Sequence, residues 1–247
     1  MYVDALWLKK KGCSKPEHFE DVMHKISSRT GLAIALDGIY RWVAFLPSKT
    51  DPRVPIPNRY FGVFQSGEIK VRGLEARRRD TPRWIAQVQT EMLTCLGQAK
   101  TRAELPEALH AAFHVYEQAV KRLKQSQVPP ELLVVNGKVS YALEAYKSAT
   151  ASVRAARQLQ AAGMQIRPGQ RVRFLFMQGE PDVYAWELGG QVDPANLDQH
   201  KYLELLAKAG GSVLLPFGID PQVLMEWTLK GGIQLPLDTW NRALLEV

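Results

Sequence analysis

The sequence predicts an α+β protein: an antiparallel sheet with helices, followed by a mostly helical region. Three observations predict it. Short runs of β-branched and aromatic residues crowd the part of the chain before Thr81-Pro82. Long apolar stripes with a 3.6-residue period begin after it. Apolar residues make up 46% of the 247 residues, enough to bury a core. The change of character near Pro82 divides the chain into residues 1–81 and 82–247.

Tyr2–Leu8 holds strand formers with partial alternation and reads as a strand. A sheet that opens at the first residues implies strand neighbours contributed from upstream. Ser14-Lys15-Pro16-Glu17 carries a cap residue and an early proline, predicting a helix to about Ser28 and a turn at Thr30-Gly31. Leu32–Leu36 and Tyr40–Leu46 read as two strands, and the four prolines between Pro47 and Pro57 as an extended loop. Tyr60–Phe64, the turn Gln65-Ser66-Gly67-Glu68 and Ile69–Arg72 form a β-hairpin.

Trp84–Leu96 has helical periodicity. Leu105–Lys124 is an amphipathic helix whose stripe is Leu109, Ala112, Phe113, Tyr116, Val120 and Leu123, a core-packing face. Pro129-Pro130 interrupts it. Tyr141–Tyr146 and Ala149–Gly163 read as helical, with Gly163 as the stop. Arg171–Phe176 alternates as a strand that Val183–Leu188 can pair with, and Asn196–Phe217 is helical again.

Lysine and arginine outnumber aspartate and glutamate by 32 to 25, giving a net charge of +7. That balance fits a polyanionic partner, nucleic acid before an anionic membrane surface, and also fits a merely basic soluble protein. Cys13 and Cys95 are the only cysteines and lie in no CxxC pattern. A disulfide framework or zinc site is therefore not expected, and a reducing, cytoplasmic setting is. His110 and His114 share an i, i+4 spacing without HExxH or a third ligand, so a solvated or half-buried pair is the better reading. No membrane span or signal peptide is visible. Hydrolase GxSxG, Walker and Rossmann glycine patterns are absent.

The most informative stretch runs from Asn58-Arg59-Tyr60-Phe61-Gly62 through Lys70-Val71-Arg72-Gly73-Leu74-Glu75 to Arg77-Arg78-Arg79-Asp80-Thr81-Pro82. It is a hairpin with cations at both ends of its strands and aromatic rings between them. Guanidinium groups pair with phosphate oxygens in two-point fashion, and rings pack on sugars or bases. Basic residues also commonly blunt sheet edges, so a solvated edge strand is the alternative.

This order of elements resembles the family B DNA polymerases, in which a KKRYxG-type motif precedes a hairpin and then a KxRGxExxRRDxxP segment. Here the chain reads PNRYFG and KVRGLEARRRDTP. The resemblance implies that Arg59, Tyr60 and Gly62 lie in the palm near a primer–template minor groove, with Pro57 and Asn58 replacing the two lysines. Lys70, Arg72, Arg77, Arg78 and Arg79 join them as duplex contacts. The family's YGDTDS-type motif, whose two aspartates hold metal ions, is matched by Tyr2-Val3-Asp4-Ala5-Leu6. Asp4 falls on the second aspartate and Tyr2 on the first. The resemblance thus implies Asp4 as a catalytic ligand of Mg2+, and only in an assembled polymerase; a lone aspartate is equally a structural residue.

YKSATASVRAAR and Arg167-Pro168-Gly169-Gln170-Arg171 resemble the family's thumb pattern and imply phosphate contacts by Lys147, Arg154, Arg157 and Arg171. Pro216-Phe217-Gly218 resembles the ending of the thumb's final helix. The resemblance implies the C-terminal part of the palm over 1–81 and the thumb over 82–247. Its partners would be a primer–template duplex and an upstream polymerase segment or subunit, with no membrane. The implied function is support of template-directed DNA synthesis when joined to that segment, with the isolated chain inactive. The alternative is a non-catalytic DNA-binding module or polymerase-related subunit.

Overall fold

A computed structural model describes residues 6–48, 50–51 and 53–231, with the side chain of Arg102 left aside. It is a mixed α+β structure with two three-stranded antiparallel sheets and six α-helices among those residues.

The first helix, α1 (Glu20–Thr30), follows a 3₁₀ turn that opens on Pro16, and Gly31 ends it in the left-handed conformation. The first sheet has the order β1 (Tyr40–Pro47), β2 (Pro55–Phe64), β3 (Ile69–Arg72). In it Phe45 faces Tyr60, Tyr60 faces Arg72 and Gly62 faces Lys70. Because side chains alternate along a strand, Arg59, Phe61 and Val63 share one face, and Tyr60, Gly62 and Phe64 share the other. The first face meets the helices: Phe61 and Val63 are fully buried.

Beneath it lies α2 (Arg83–Gly97), which packs on both α3 (Leu105–Lys124) and α5 (Gln199–Leu214), with α6 (Pro221–Lys230) across α5. Pro82 precedes the first turn of α2, and Ile85, Met92 and Leu96 form its buried stripe. Asp198 caps α5 by accepting the Lys201 amide at 2.9 Å. The second sheet orders β4 (Val135–Lys138), β5 (Arg171–Phe176) and β6 (Val183–Ala185), and α4 (Ala151–Ala161) packs on it. Gln158 of α4 seals the outer edge of β6, donating to the Val183 carbonyl at 2.7 Å and accepting the Ala185 amide at 2.8 Å. One apolar cluster runs from Leu46 to Leu224 through both sheets and the helices α2 to α6.

Four expectations change. The loop expected from Pro47 to Pro57 is shorter, because β2 already begins at Pro55, which pairs with Pro47. Leu32–Leu36 is not a strand: it has no sheet neighbour among the described residues, and Leu32 is 67% exposed. Tyr141–Tyr146 makes only a 3₁₀ turn at Leu143–Ala145, because the Tyr146 hydroxyl accepts the amides of Ser140 and Tyr141 at 2.5 and 3.2 Å and ties the segment into a loop. The strand expected over Val183–Leu188 stops at Ala185 and continues as a 3₁₀ turn. The strand β4 and the helix α6 were not expected from the sequence. The first is four residues long with Asn136-Gly137 at its centre, a turn signal. The second is legible in retrospect from Asp220 as cap, Pro221 at the first position and Gly231 at the stop. The catalytic strand expected at Tyr2–Leu8 falls largely outside the described residues; Leu6–Leu8 have no regular secondary structure.

Candidate nucleic-acid interface

The outer face of the first sheet is aromatic at its centre and basic at its β3 edge. Trp7 lies across it, with its ring 4.7 Å from Tyr60, 4.8 Å from Phe45 and 5.3 Å from Tyr40. Tyr60 is thus buried in a ring cluster. Gly62 is required by close approach: a Cβ there would stand 2.7 Å from the Trp42 carbonyl oxygen and 2.9 Å from the Tyr40 ring. Burial, reinforced by the neighbouring Tyr60, pushes the Tyr40 phenol well above its ordinary range. Lys70 lies 6.0 Å over the Phe64 ring and pairs with Asp37 at 3.1 Å. Arg72, opposite Tyr60, is exposed and forms no ion pair among the described residues.

Arg59 behaves differently. Strand alternation turns it toward the helices, where Nε donates to the Gly73 carbonyl at 3.3 Å and Nη2 to Ser212 Oγ of α5 at 3.3 Å. The same Nη2 lies 3.6 Å from the carboxylate of Glu75. Gly73 has a φ of +67°, and its missing Cβ leaves room for the Asn58 carbonyl and the Arg59 side chain.

Glu75 is buried, and Gln89 of α2 satisfies it. Gln89 Nε2 donates to Glu75 Oε2 at 3.0 Å and to the Ala209 carbonyl of α5 at 2.7 Å, while its Oε1 accepts the Ala76 amide at 2.6 Å. A buried network of this kind is rigid when fully satisfied. It fixes the start of the arginine run on the helical core. In the run itself, Arg78 is taken by Asp80, with Nε and Nη2 donating at 2.9 and 2.6 Å. That pairing holds the Asp80 carboxyl below the usual carboxylate range. Arg77 and Arg79 are exposed and make no ion pair among the described residues.

A second basic set lies on β4, β5 and α4. Lys138 and Arg171 are direct cross-strand partners, both exposed. Arg173, next on that face, is neutralised by Glu187 at 2.8 Å. Arg154 is committed to Asp182 at 2.7 and 2.6 Å and to the Ala149 carbonyl. Arg157 and Lys147 are exposed without ion pairs among the described residues. Lys138 was missed from sequence; only the pairing of β4 with β5 reveals it. Asp4 lies outside the described residues. His114 is exposed, 3.6 Å from Glu117. Among the described residues no group of three His, Cys, Asp or Glu side chains could hold a metal ion, and no helix is long and apolar enough to cross a membrane.

The family model for DNA polymerase family B matches residues 56–208, well over half of the chain. The chain belongs to that family. The stretch matched takes in both basic sets. DNA polymerase 1 of Saccharolobus solfataricus is 24% identical over 202 residues, covering 81% of this chain and 22% of the relative. The DNA polymerase of Thermococcus hydrothermalis is 30% identical over 121 residues, 49% of this chain and 7% of the relative. The solved structure of the family B DNA polymerase from Pyrobaculum calidifontis superposes with a TM-score of 0.60 at 20% identity, over 83% of this chain and 25% of that one. This family B chain therefore spans about a fifth of the length of the first curated relative it matches.

Proposed function

We propose that this chain supplies the C-terminal part of a family B palm, over 1–81, and the thumb, over 82–247, and that it grips primer–template duplex. The observation that carries the reading is that Arg72, Arg77 and Arg79 are exposed and form no ion pair among the described residues, with the start of the run fastened to the core through Glu75 and Gln89. Free guanidinium groups on a fixed backbone suit phosphate oxygens. Lys138, Arg171, Arg157 and Lys147 extend the same chemistry onto the helical part. Such binding is backbone-directed and independent of base sequence.

Lys70, Arg78 and Arg154 enter the reading as cations that already have carboxylate partners, so they contribute less than Arg72, Arg77 and Arg79. Arg59, Tyr60 and Gly62 hold the hairpin in shape. In template-directed synthesis Asp4 would give one carboxylate to a magnesium ion whose other ligands come from outside this chain. The described residues build no such site alone. The isolated chain is expected neither to bind magnesium tightly nor to polymerise; synthesis by the purified chain would overturn this.

A second reading, a non-catalytic DNA-binding module, is favoured by Tyr2 in the place of the first metal-binding aspartate. A Tyr2→Asp variant in a reconstituted polymerase separates the two. A large gain in synthesis identifies a degraded metal site, and unchanged high activity means that other ligands hold the metals.

The first test is binding of a fluorescent primer–template duplex across a salt series, with an Arg72→Ala, Arg77→Ala, Arg79→Ala variant alongside. Neutralised phosphates release counterions, so the slope of log affinity against log salt counts contacts at about 0.9 each. The expected result is a steep slope that falls by about two to three in the variant. Equal slopes would remove the duplex from this surface.

A further inference from the structure

The arginine run has a neighbour that its own sequence does not contain. The bridge made by Gln89 ends on the Ala209 carbonyl of α5, so the backbone at Ala76 and the backbone at Ala209 are held by one side chain, at 2.6 and 2.7 Å. One turn further along α5, Ser212 accepts from Arg59 and donates back to the Lys208 carbonyl at 3.2 Å. Lys208 directly precedes Ala209 on α5, the helix that contacts the turn Glu75–Arg77. It is exposed, and it forms no ion pair among the described residues. Asp80, which closes the run, is already occupied by Arg78; Lys208 adds to the field that keeps its carboxyl ionised.

We propose that Lys208 is a phosphate-binding residue of the duplex surface, set beside Arg77 and Arg79 by the buried Gln89 bridge. The proposal rests on the duplex-binding reading above and extends it to a helix more than a hundred residues later in the chain. Exposed cations on one surface repel one another and favour a polyanion that neutralises them at once. A nucleic-acid backbone, with regularly spaced phosphates, meets that demand. Lys201, earlier on the same helix, offers a contrast because Glu204 already neutralises it at 2.7 Å.

The test uses the full chain and the same fluorescent primer–template duplex. Lys208→Ala removes an exposed side chain and is expected to leave the fold intact. It should lower the salt slope by about 0.9, one phosphate contact, while Lys201→Ala keeps the wild-type slope. A Gln89→Met variant, unchanged in charge, should speed amide exchange at Ala76 and also lower the slope, because the cations lose their shared register. A wild-type slope in Lys208→Ala, with Arg79→Ala lowering it, would overturn the assignment of Lys208 and leave the duplex reading standing. Wild-type protein that binds duplex with no salt dependence would overturn both.

Discussion

Lys138 of β4 stands directly opposite Arg171 of β5, two exposed cations facing each other across a strand pair. Directly opposed like charges destabilise a sheet by a few tenths of a kcal/mol to about 1 kcal/mol. A fold that keeps such a pair gives up stability for charge density on that face. Lys138→Glu should therefore raise the urea midpoint, by roughly 0.5 kcal/mol of stability, while weakening duplex binding and lowering its salt slope. A variant that is both more stable and equally tight in binding would show that this face takes no part.

Arg59 and Arg72 are expected to separate stability from binding. Arg59 is tied to Gly73, Ser212 and Glu75, with its side chain 31% exposed. Its loss leaves the buried Glu75 carboxylate with fewer partners, a cost of about 1–2 kcal/mol after allowing for solvent screening at the arginine. Arg72 has no such ties among the described residues. Arg59→Ala should lower the denaturation midpoint and keep the salt slope of the folded protein; Arg72→Ala should do the reverse. Urea titration beside the duplex assay reads both.

The sequence carried much of this, because the strongest signals in it are periodic. The stripe of α3 and the alternation of β5 fixed those elements to the residue. The same alternation, applied to Asn58–Phe61, places Arg59 on the face of buried Phe61 and away from Arg72. The polar Gln89, set in a stripe with Ile85, Met92 and Leu96, marks a buried hydrogen-bonding duty. What could not be read is long-range. Lys208 and Lys138 gain their meaning from contacts with segments far away in sequence, and no local period encodes a partner strand or the neighbour of a helix. Leu32–Leu36 failed for the same reason: a strand pattern is a statement about half of a pair.

Asp80 restrains Arg78, and the restraint has a definite pH window. The carboxyl is held below its unfolded value first by the hydrogen bonds from Arg78. A depressed carboxylate contributes stability above its unfolded value and loses it as pH falls through the lower folded value. At neutral pH the pair is therefore closed, and acid strong enough to open it lies below the ordinary carboxylate range. Asp80→Asn opens it without acid. The variant should bind duplex more tightly, with a slope steeper by up to about 0.9, at a small loss of stability because both partners are half exposed. Unchanged affinity would mean that Arg78 cannot reach a phosphate even when released.

Gly62 is where the outer face of the sheet is set. Its missing side chain lets the Tyr40 ring lie across β2, and Tyr40 in turn packs on Trp7 and on Phe64, at 5.3 and 4.3 Å between ring centres. A methyl group at Gly62 would press on the Trp42 carbonyl oxygen, a backbone atom held by the β1–β2 pairing. The ring can swing aside, but the carbonyl cannot move without loosening the strand pair. Gly62→Ala is thus an overpacking change, with an expected cost of about 1–3 kcal/mol. Its signature should be specific: a changed aromatic near-ultraviolet circular dichroism from the Trp7–Tyr40–Phe45–Tyr60 cluster, with the helical far-ultraviolet signal retained. Duplex binding should weaken as well, because Lys70 and Arg72 take their positions from β2. Retained binding alongside an altered aromatic signal would place the duplex on the arginine run alone and leave the hairpin face out of the interface.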